Sequence, residues 1–370
     1  MDQQANDSIG IAVDTDYFKY FKFFERSWRY GNRSPNRIYK FFHMKVFVTR
    51  VIPDEGLRLM EAAGISVTQW KEKRNLTQEE LIEICQDYDA LLPAGFNNIN
   101  EAILAACSHL KVIALHSVGF DNVDVKAATR YKIPIGNTPG VLSGATADTA
   151  FLLMLATSRK AFYMHNKIAA GGWHVFEPTG DLGIELHSRT LGIFGLGKIG
   201  FEMARRCKSA YNMTIIYNNR SNNPEAEQEL GAVKVSFDEL LAQSDVLSVH
   251  TSLNSETKEK FNKAVFAKMK SSSIFINTAR GGIHNESDLI EALQKGVIWG
   301  AGLDVTNPEP MQTDNPMLHM PNACILPHIG SATVETRNAM SRLAAENIIA
   351  GLKGDRLPYL VNPEVYEGGS

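Results

Sequence analysis

From residue 44 onward, short apolar runs alternate with stretches of helical spacing. Residues 46–48, 90–92 and 112–115 are unbroken apolar runs, the length and character of buried strands. Between them, residues 55–63 and 100–106 carry the spacing of helices. Strands alternating with helices predict βαβ units and a parallel sheet. The turn-like Asn137-Thr138-Pro139-Gly140 is followed by a stretch rich in Ala, Leu and Met, which predicts one long helix over 145–170. A second α/β series starts at Thr190 and runs to about Pro327, with strands expected at 214–217 and 273–277. Residues 333–352 read as a helix that returns to the first series. There is no internal repeat and no low-complexity block, so the pattern predicts two domains of similar size, the second inserted into the first.

Residues 1–43 look different. Aromatics (Tyr17, Phe18, Phe23, Phe24, Trp28, Phe41 among them) are interleaved with Lys19, Lys22, Arg26, Arg29 and Arg33. That mixture suits a targeting segment or a membrane-surface helix. Asp2, Asp7, Asp14 and Asp16 argue against a transit peptide, which is acid-poor. The favoured expectation is an extension outside the fold, with Met44 as an alternative start.

Composition narrows the class. With 44% hydrophobic and 21% charged residues, the 370-residue chain reads as a soluble globular protein with a large core. A net charge of −3 gives no electrostatic reason to expect a nucleic-acid or anionic-membrane partner. Cys85, Cys107, Cys207 and Cys324 are far apart in sequence, with no CxxC and no zinc-like histidine spacing. Reduced, partly buried thiols and no metal are expected, in the cytoplasm, or in the mitochondrion if residues 1–43 act as a targeting segment.

The strongest local motif is Gly195-Leu196-Gly197-Lys198-Ile199-Gly200, after a strand and opening a helix over 201–209. The first glycine permits a tight turn, the second lets backbone N–H groups approach a pyrophosphate, and the third lets helix and strand pack closely. A second strand at the right distance makes this a dinucleotide site of Rossmann type. An acid at the end of that strand would accept hydrogen bonds from the adenosine ribose of NAD. The residues there are Asn218, Asn219, Arg220 and Ser221. No carboxylate repels a 2′-phosphate and Arg220 can pair with one, so NADP(H) is the expected cofactor, with NAD(H) the alternative.

Three more residues stand in suggestive places. Arg280 follows the strand 273–277 and precedes two glycines; Glu309 lies in Asn307-Pro308-Glu309-Pro310, and His328 in Leu326-Pro327-His328. Singly, each reads better as a structural residue: an ion-paired arginine, a solvated acid or a hydrogen-bonded core histidine. Together in one nucleotide-binding unit they suit a reduction. Arginine can clamp a carboxylate, histidine can give a proton to a carbonyl oxygen as hydride arrives, and an acid beside it favours its charged form.

The sequence from Met44 to about Pro363 resembles the D-isomer-specific 2-hydroxyacid dehydrogenases, and among them most resembles the glyoxylate/hydroxypyruvate reductases of animals. The matching stretches run from His116 to Asp124, from Asn137 to Leu142, from Gly195 to Gly200, from Phe275 to Gly281, from Ala301 to Pro310 and from Leu326 to Thr333. The resemblance implies a flavodoxin-like substrate-binding domain of residues 44–144 and 332–370. A dinucleotide-binding domain of residues 145–331 would be inserted in it, both being doubly wound parallel sheets. It implies that Arg280, Glu309 and His328 are the catalytic residues and that Asp304 holds the nicotinamide amide. The backbone of Ser117, Val118 and Gly119 would bind the substrate carboxylate, with Ala94, Gly95 and Ser331 also at the substrate. Thr251, Thr278 and Ser331 would join the glycine-rich loop at the cofactor. A homodimer is implied too.

The resemblance has departures. Leu92-Pro93-Ala94-Gly95-Phe96 stands where the animal reductases have bulkier residues, and Phe176 where they have a tryptophan that reaches the partner's active site. The expected activity is NADPH-dependent reduction of glyoxylate to glycolate and hydroxypyruvate to D-glycerate. Alternatives are a reductase of other small 2-keto acids (2-ketogluconate type) and a non-catalytic, corepressor-like NAD(H) sensor. A sensor or a phosphoglycerate dehydrogenase would carry an acid where Asn218 stands.

Overall fold

The computed structural model describes residues 44–367; the aromatic-basic segment 1–43 lies outside them. Two wholly parallel sheets organise the chain. The first has five strands, β1 (Lys45–Val48), β2 (Ser66–Gln69), β3 (Ala90–Leu92), β4 (Val112–Ala114) and β5 (Ile135–Gly136), in the order β2-β1-β3-β4-β5. The second has seven, β6 (Thr190–Phe194), β7 (Thr214–Asn218), β8 (Val233–Lys234), β9 (Val246–Val249), β10 (Ile274–Asn277), β11 (Gly300–Leu303) and β12 (Ala323–Ile325). Their order is β12-β11-β10-β9-β6-β7-β8.

Both faces of the second sheet are covered, which is why its strands read as continuous apolar runs. In β10, Ile274 and Ile276 enter one apolar layer and Phe275 the other. The helices Ser143–Ser158 and Lys198–Tyr211 supply the first layer, and Glu286–Gln294 contributes Leu289 and Leu293 to the second.

The tail does return to the first sheet. In the helix Val334–Lys353, Ala344, Ala345, Ile348 and Leu352 are buried with Val46, Val48, Val112 and Ala114. The segment after it seals the edge. Leu360 bridges Gly136 in antiparallel fashion, and the buried Asn362 accepts from the Ile135 N–H (2.8 Å) and donates to the Ile133 carbonyl (3.0 Å). A covered edge cannot pair with another chain.

One expected element differs. The helix over 145–170 is two helices, Ser143–Ser158 and Ala161–Ala169, parted by Lys160 in the left-handed region at φ 55°. The break is satisfied from outside: the Ser158 carbonyl accepts the N–H of Ile184 (2.9 Å), and the Ser158 hydroxyl turns back on the Leu155 carbonyl. An apolar-rich composition carries no sign of such a tertiary partner. Among the described residues, all four cysteines are free and buried, no acidic or thiol cluster could hold a metal, and no helix is long and apolar enough to cross a membrane.

The tail helix meets the helix Asp54–Ala62 at Gly56, where a Cβ would stand 2.3 Å from the Ser341 carbonyl oxygen. Gly56→Val should therefore cost about 1–3 kcal/mol through overpacking. Thermal unfolding should show a lowered Tm, and an unchanged Tm would contradict this packing.

Candidate active site

The glycine-rich loop leaves β6 where the second sheet reverses its order, between β6 and β9, the place where open α/β sheets bind ligands. Gly195 has φ +97°, and a Cβ there would press on the His250 carbonyl and the Thr251 N–H. At Gly200 it would press on the Gly195 carbonyl and Ile193. At Gly197 it would meet nothing within 4 Å. The first and third glycines thus serve close packing, and the second faces the space a pyrophosphate needs. The helix Lys198–Tyr211 begins there, and the first N–H groups of a helix have no internal acceptor. Those of Lys198 and Ile199 suit an anion, while the N–H of Leu196 is taken by Asn219 Oδ1 at 2.6 Å.

At the end of β7, Asn218 donates to the Val235 carbonyl and Asn219 donates back to Leu196. Both amides therefore build the loop. Arg220 and Ser221 are exposed. The sequence pattern gave no sign of Lys234, whose Nζ lies 3.2 Å from the Arg220 carbonyl and 3.1 Å from Asn222 Oδ1, placing a second cation beside Arg220. Thr251 follows β9, and Thr278 follows β10 with a buried hydroxyl that has no partner among the described residues. A buried hydroxyl without a partner at a strand's carboxyl end suits a polar ligand.

Arg280 stands three residues past β10, and its posture is set by Asn277, a residue that no motif singles out. The buried Asn277 donates to the Arg280 carbonyl (2.9 Å) and accepts from the Ala279 N–H (2.9 Å), which curls the backbone into place. The guanidinium then reaches the other sheet. Its Nε donates to Asp121 Oδ1 at 2.9 Å, its Nη1 to the Ala279 carbonyl, and a Cβ at Gly119 would fall 1.7 Å from its Nη2. Arg280 therefore packs directly on the loop 117–119. There the carbonyls of Ser117, Val118 and Gly119 are engaged by the Thr138 N–H, Asn137 Nδ2 and Ser117 Oγ, leaving the N–H groups as the loop's donors.

His328 has φ 54°, an uncommon posture for a residue with a Cβ. It is fixed by Asp304, which is 1% exposed and accepts the N–H groups of Ile329 and Gly330, both at 2.7 Å. Burial raises the Asp304 pKa, and these two N–H groups act against that shift. Glu309 Oε1 lies 2.5 Å from His328 Nδ1, so the ring presents Nε2 outward. The Phe96 ring stands 5.9 Å from the His328 ring, centroid to centroid. Ser331 follows closely, its carbonyl accepting Arg337 Nε at 3.1 Å. Ala94 and Gly95 follow β3 on the first sheet.

A family model, that of the NAD-binding domain of the D-isomer-specific 2-hydroxyacid dehydrogenases, matches residues 151–330. The chain is 40% identical over 325 residues to a glyoxylate reductase of Thermococcus litoralis, covering 87% of this chain and 97% of that one. It is 43% identical over 317 residues to the human glyoxylate reductase/hydroxypyruvate reductase, covering 85% and 97%. The chain belongs to the D-isomer-specific 2-hydroxyacid dehydrogenase family. Solved structures agree. A Thermus thermophilus protein superposes with a TM-score of 0.80 at 38% identity, covering 86% of this chain and all of that one. The NADPH-dependent glyoxylate/hydroxypyruvate reductase of Sinorhizobium meliloti, solved with NADP and malonate, gives 0.74 at 29% identity, covering 86% and 97%. This dehydrogenase thus carries an NAD-binding domain of the family type on its seven-stranded sheet.

Three histidines packed inside the fold make its stability pH-dependent. Burial holds His284 and His250 neutral down to about 4, and burial with the Arg337 charge does the same for His116. Unfolded, each takes up a proton near 6.5, so the unfolded state binds more protons as pH falls below that value. Stability should be full above about pH 6.5 and decline towards pH 4. Tm measured between pH 7 and pH 5 should fall, and His284→Gln should flatten the fall; an unaltered slope would count against a neutral buried His284.

Proposed function

We propose that this dehydrogenase reduces glyoxylate to glycolate and hydroxypyruvate to D-glycerate with NADPH. The observation that carries the reading is the 2.5 Å contact of Glu309 with His328 Nδ1, which leaves Nε2 as a directed proton donor beside the cleft. Relatives at 40% and 43% identity that bear these activities in their names support the substrate class.

In this reading residues 145–331 form the dinucleotide-binding domain, and residues 44–144 with 332–370 the substrate-binding domain. The N–H groups of Lys198 and Ile199 hold the pyrophosphate, with Gly195, Leu196 and Gly197 shaping the loop around it, Thr251, Thr278 and Ser331 along the dinucleotide and Asp304 near the nicotinamide amide. The bound cofactor supplies the hydride. The N–H groups of Ser117, Val118 and Gly119 and the Arg280 fork hold the substrate carboxylate, with Ala94, Gly95 and Ser331 completing the pocket. Arg280 also polarises the keto oxygen, and His328 gives that oxygen a proton from Nε2 as negative charge grows there. Glu309 fixes the ring through Nδ1. Asp121 orients Arg280 through Nε and so leaves Nη2 facing the Gly119 loop.

Preference for NADPH rests on the end of β7. Asn218 brings no negative charge, and Arg220, Ser221 and Lys234 offer two cations and a hydroxyl to a 2′-phosphate. A homodimer is supported by an exposed apolar arm: Trp173, Val175 and Phe176 are 69%, 67% and 81% exposed, a costly surface for a monomer. The four unpaired thiols suit a reducing compartment, the cytoplasm.

Steady-state reduction of glyoxylate with NADPH and with NADH tests the reading. His328→Ala should lower kcat by about 10²–10⁴-fold, the range of a lost general acid. Near-wild-type turnover in that variant would remove the assignment. Arg220→Ala should raise KM for NADPH by roughly ten- to a hundredfold and leave NADH almost unaffected. A wild type as active with NADH as with NADPH would overturn the cofactor preference. For the assembly, Phe176→Asp should shift a dimer towards monomer in light scattering; a wild-type monomer refutes the dimer.

A further inference from the structure

Asn277 holds the turn that aims Arg280, and Asn277 is itself held by a residue outside the cleft. His284 follows the single helical turn Gly281–Ile283 and is wholly buried. Its backbone bridges Phe261, its N–H donates to the Gly281 carbonyl (3.1 Å), and its ring meets the Phe275 ring edge-on at 5.9 Å between centroids. Its Nδ1 lies 3.1 Å from Asn277 Nδ2, and its Nε2 has no hydrogen-bond partner among the described residues.

Backbone groups fix where the protons of this pair lie. The Ala279 N–H can only donate, so the Asn277 atom it meets at 2.9 Å is the amide oxygen. The Arg280 carbonyl can only accept, so the Asn277 atom it meets at 2.9 Å is the amide nitrogen. The other hydrogen of that NH₂ is left for His284 Nδ1, which must then carry a lone pair, with the ring proton on Nε2. Burial keeps the ring neutral down to about 4, so the lone pair is present at neutral pH.

As a piece of core, the arrangement is unfavourable. An unpaired N–H is stranded among apolar rings, where an aliphatic side chain would strand nothing. What only the imidazole offers there is an acceptor for Asn277. With it, both amide hydrogens of the buried Asn277 are placed, and the amide has one orientation. The turn is pressed from its other side as well, since a Cβ at Gly281 would fall 1.9 Å from the Thr306 carbonyl oxygen. Arg280 leaves this clamped backbone to reach Asp121 and the Gly119 loop.

We propose that His284 is a positioning residue: its Nδ1 locks the Asn277 amide, which locks the turn that aims Arg280 at the substrate carboxylate. The role of Arg280 comes from the reductase reading above, and the test separates the two.

Glyoxylate reduction by NADPH is measured for wild type, His284→Leu and His284→Asn. Leucine fills the site and accepts nothing; asparagine is smaller but returns an oxygen near the place of Nδ1. Packing alone makes His284→Asn the worse of the two, and positioning makes it the better. His284→Leu should lower kcat/KM for glyoxylate by about ten- to a hundredfold, through both kcat and KM, with the KM for NADPH within about twofold. His284→Asn should stay within about fivefold of wild type, even with the lower Tm of the two. In an Arg280→Lys background, His284→Leu should have almost no further effect. Wild-type kcat/KM in His284→Leu, a lower kcat/KM in His284→Asn than in His284→Leu, or full additivity with Arg280→Lys overturns the proposal. Nitrogen NMR of wild type carrying isotope-labelled histidine reads the tautomer directly, with His284 assigned as the signal that His284→Gln loses. A bare Nδ1 and a protonated Nε2 at neutral pH support the lock; a proton on Nδ1 overturns it. If wild type does not reduce glyoxylate, the reductase reading fails, and the lock is judged by this tautomer and by hydrogen exchange at the Ala279 N–H. His284→Leu should speed that exchange at least about tenfold and His284→Asn should not; unaltered exchange in His284→Leu overturns the lock. Should His284→Leu fail to fold, His284→Met, which also lacks a strong acceptor, is read in the same assays.

Discussion

A parallel sheet delivers the carboxyl ends of all its strands to one edge, and every polar group of the cleft hangs from that constraint. Arg50 follows β1, Ala94 follows β3, and the 116–121 segment follows β4. On the second sheet the glycine loop follows β6, Arg220 follows β7, Arg280 follows β10, Asp304 ends β11 and His328 follows β12. Loops far apart in sequence therefore converge without any long excursion of the chain. Because both faces of the seven-stranded sheet are buried, this edge is also the place where a strand's successor can carry polar atoms without a desolvation cost.

Convergence of loops does not by itself aim a side chain. In this protein the aiming is done by backbone hydrogen bonds to buried polar side chains. Asn277 curls the turn that carries Arg280, Asp304 grips the two N–H groups after His328, and Asn362 holds the edge strand beneath the 117–119 loop. Each is a short, stiff side chain with two oxygen or nitrogen atoms set at a fixed distance, so each fixes two backbone groups at once. The side chains they aim are more exposed than these supports, with Arg280 and His328 at 28% and 35%. Buried supports and open working groups combine rigidity with access for a substrate.

The cleft also joins the two sheets through contacts rather than through chain alone. The Arg280–Asp121 pair and the close seat of Gly119 under the guanidinium tie the second sheet to the first, and Phe96 over His328 ties them again. A group recognised from both sides is desolvated when it binds, which strengthens its charge-assisted contacts.

The sequence alone determined the alternation of strands and helices, the inserted second series, the dinucleotide loop and the residue types at the strand ends. Those features are local: apolar period, glycine spacing and strand-to-loop order act over a few residues. Arg280, Glu309 and His328 were legible as types and positions, but their partners were not. The Glu309–His328 contact spans 19 residues, and the Asp121–Arg280 contact 159. The break at Lys160 was hidden for the same reason, since the partner that permits it is the N–H of Ile184. The tertiary structure alone decided which groups meet across the two sheets, Arg280 with Asp121 and Phe96 with His328, for such contacts exist only once packing has brought the sheets together.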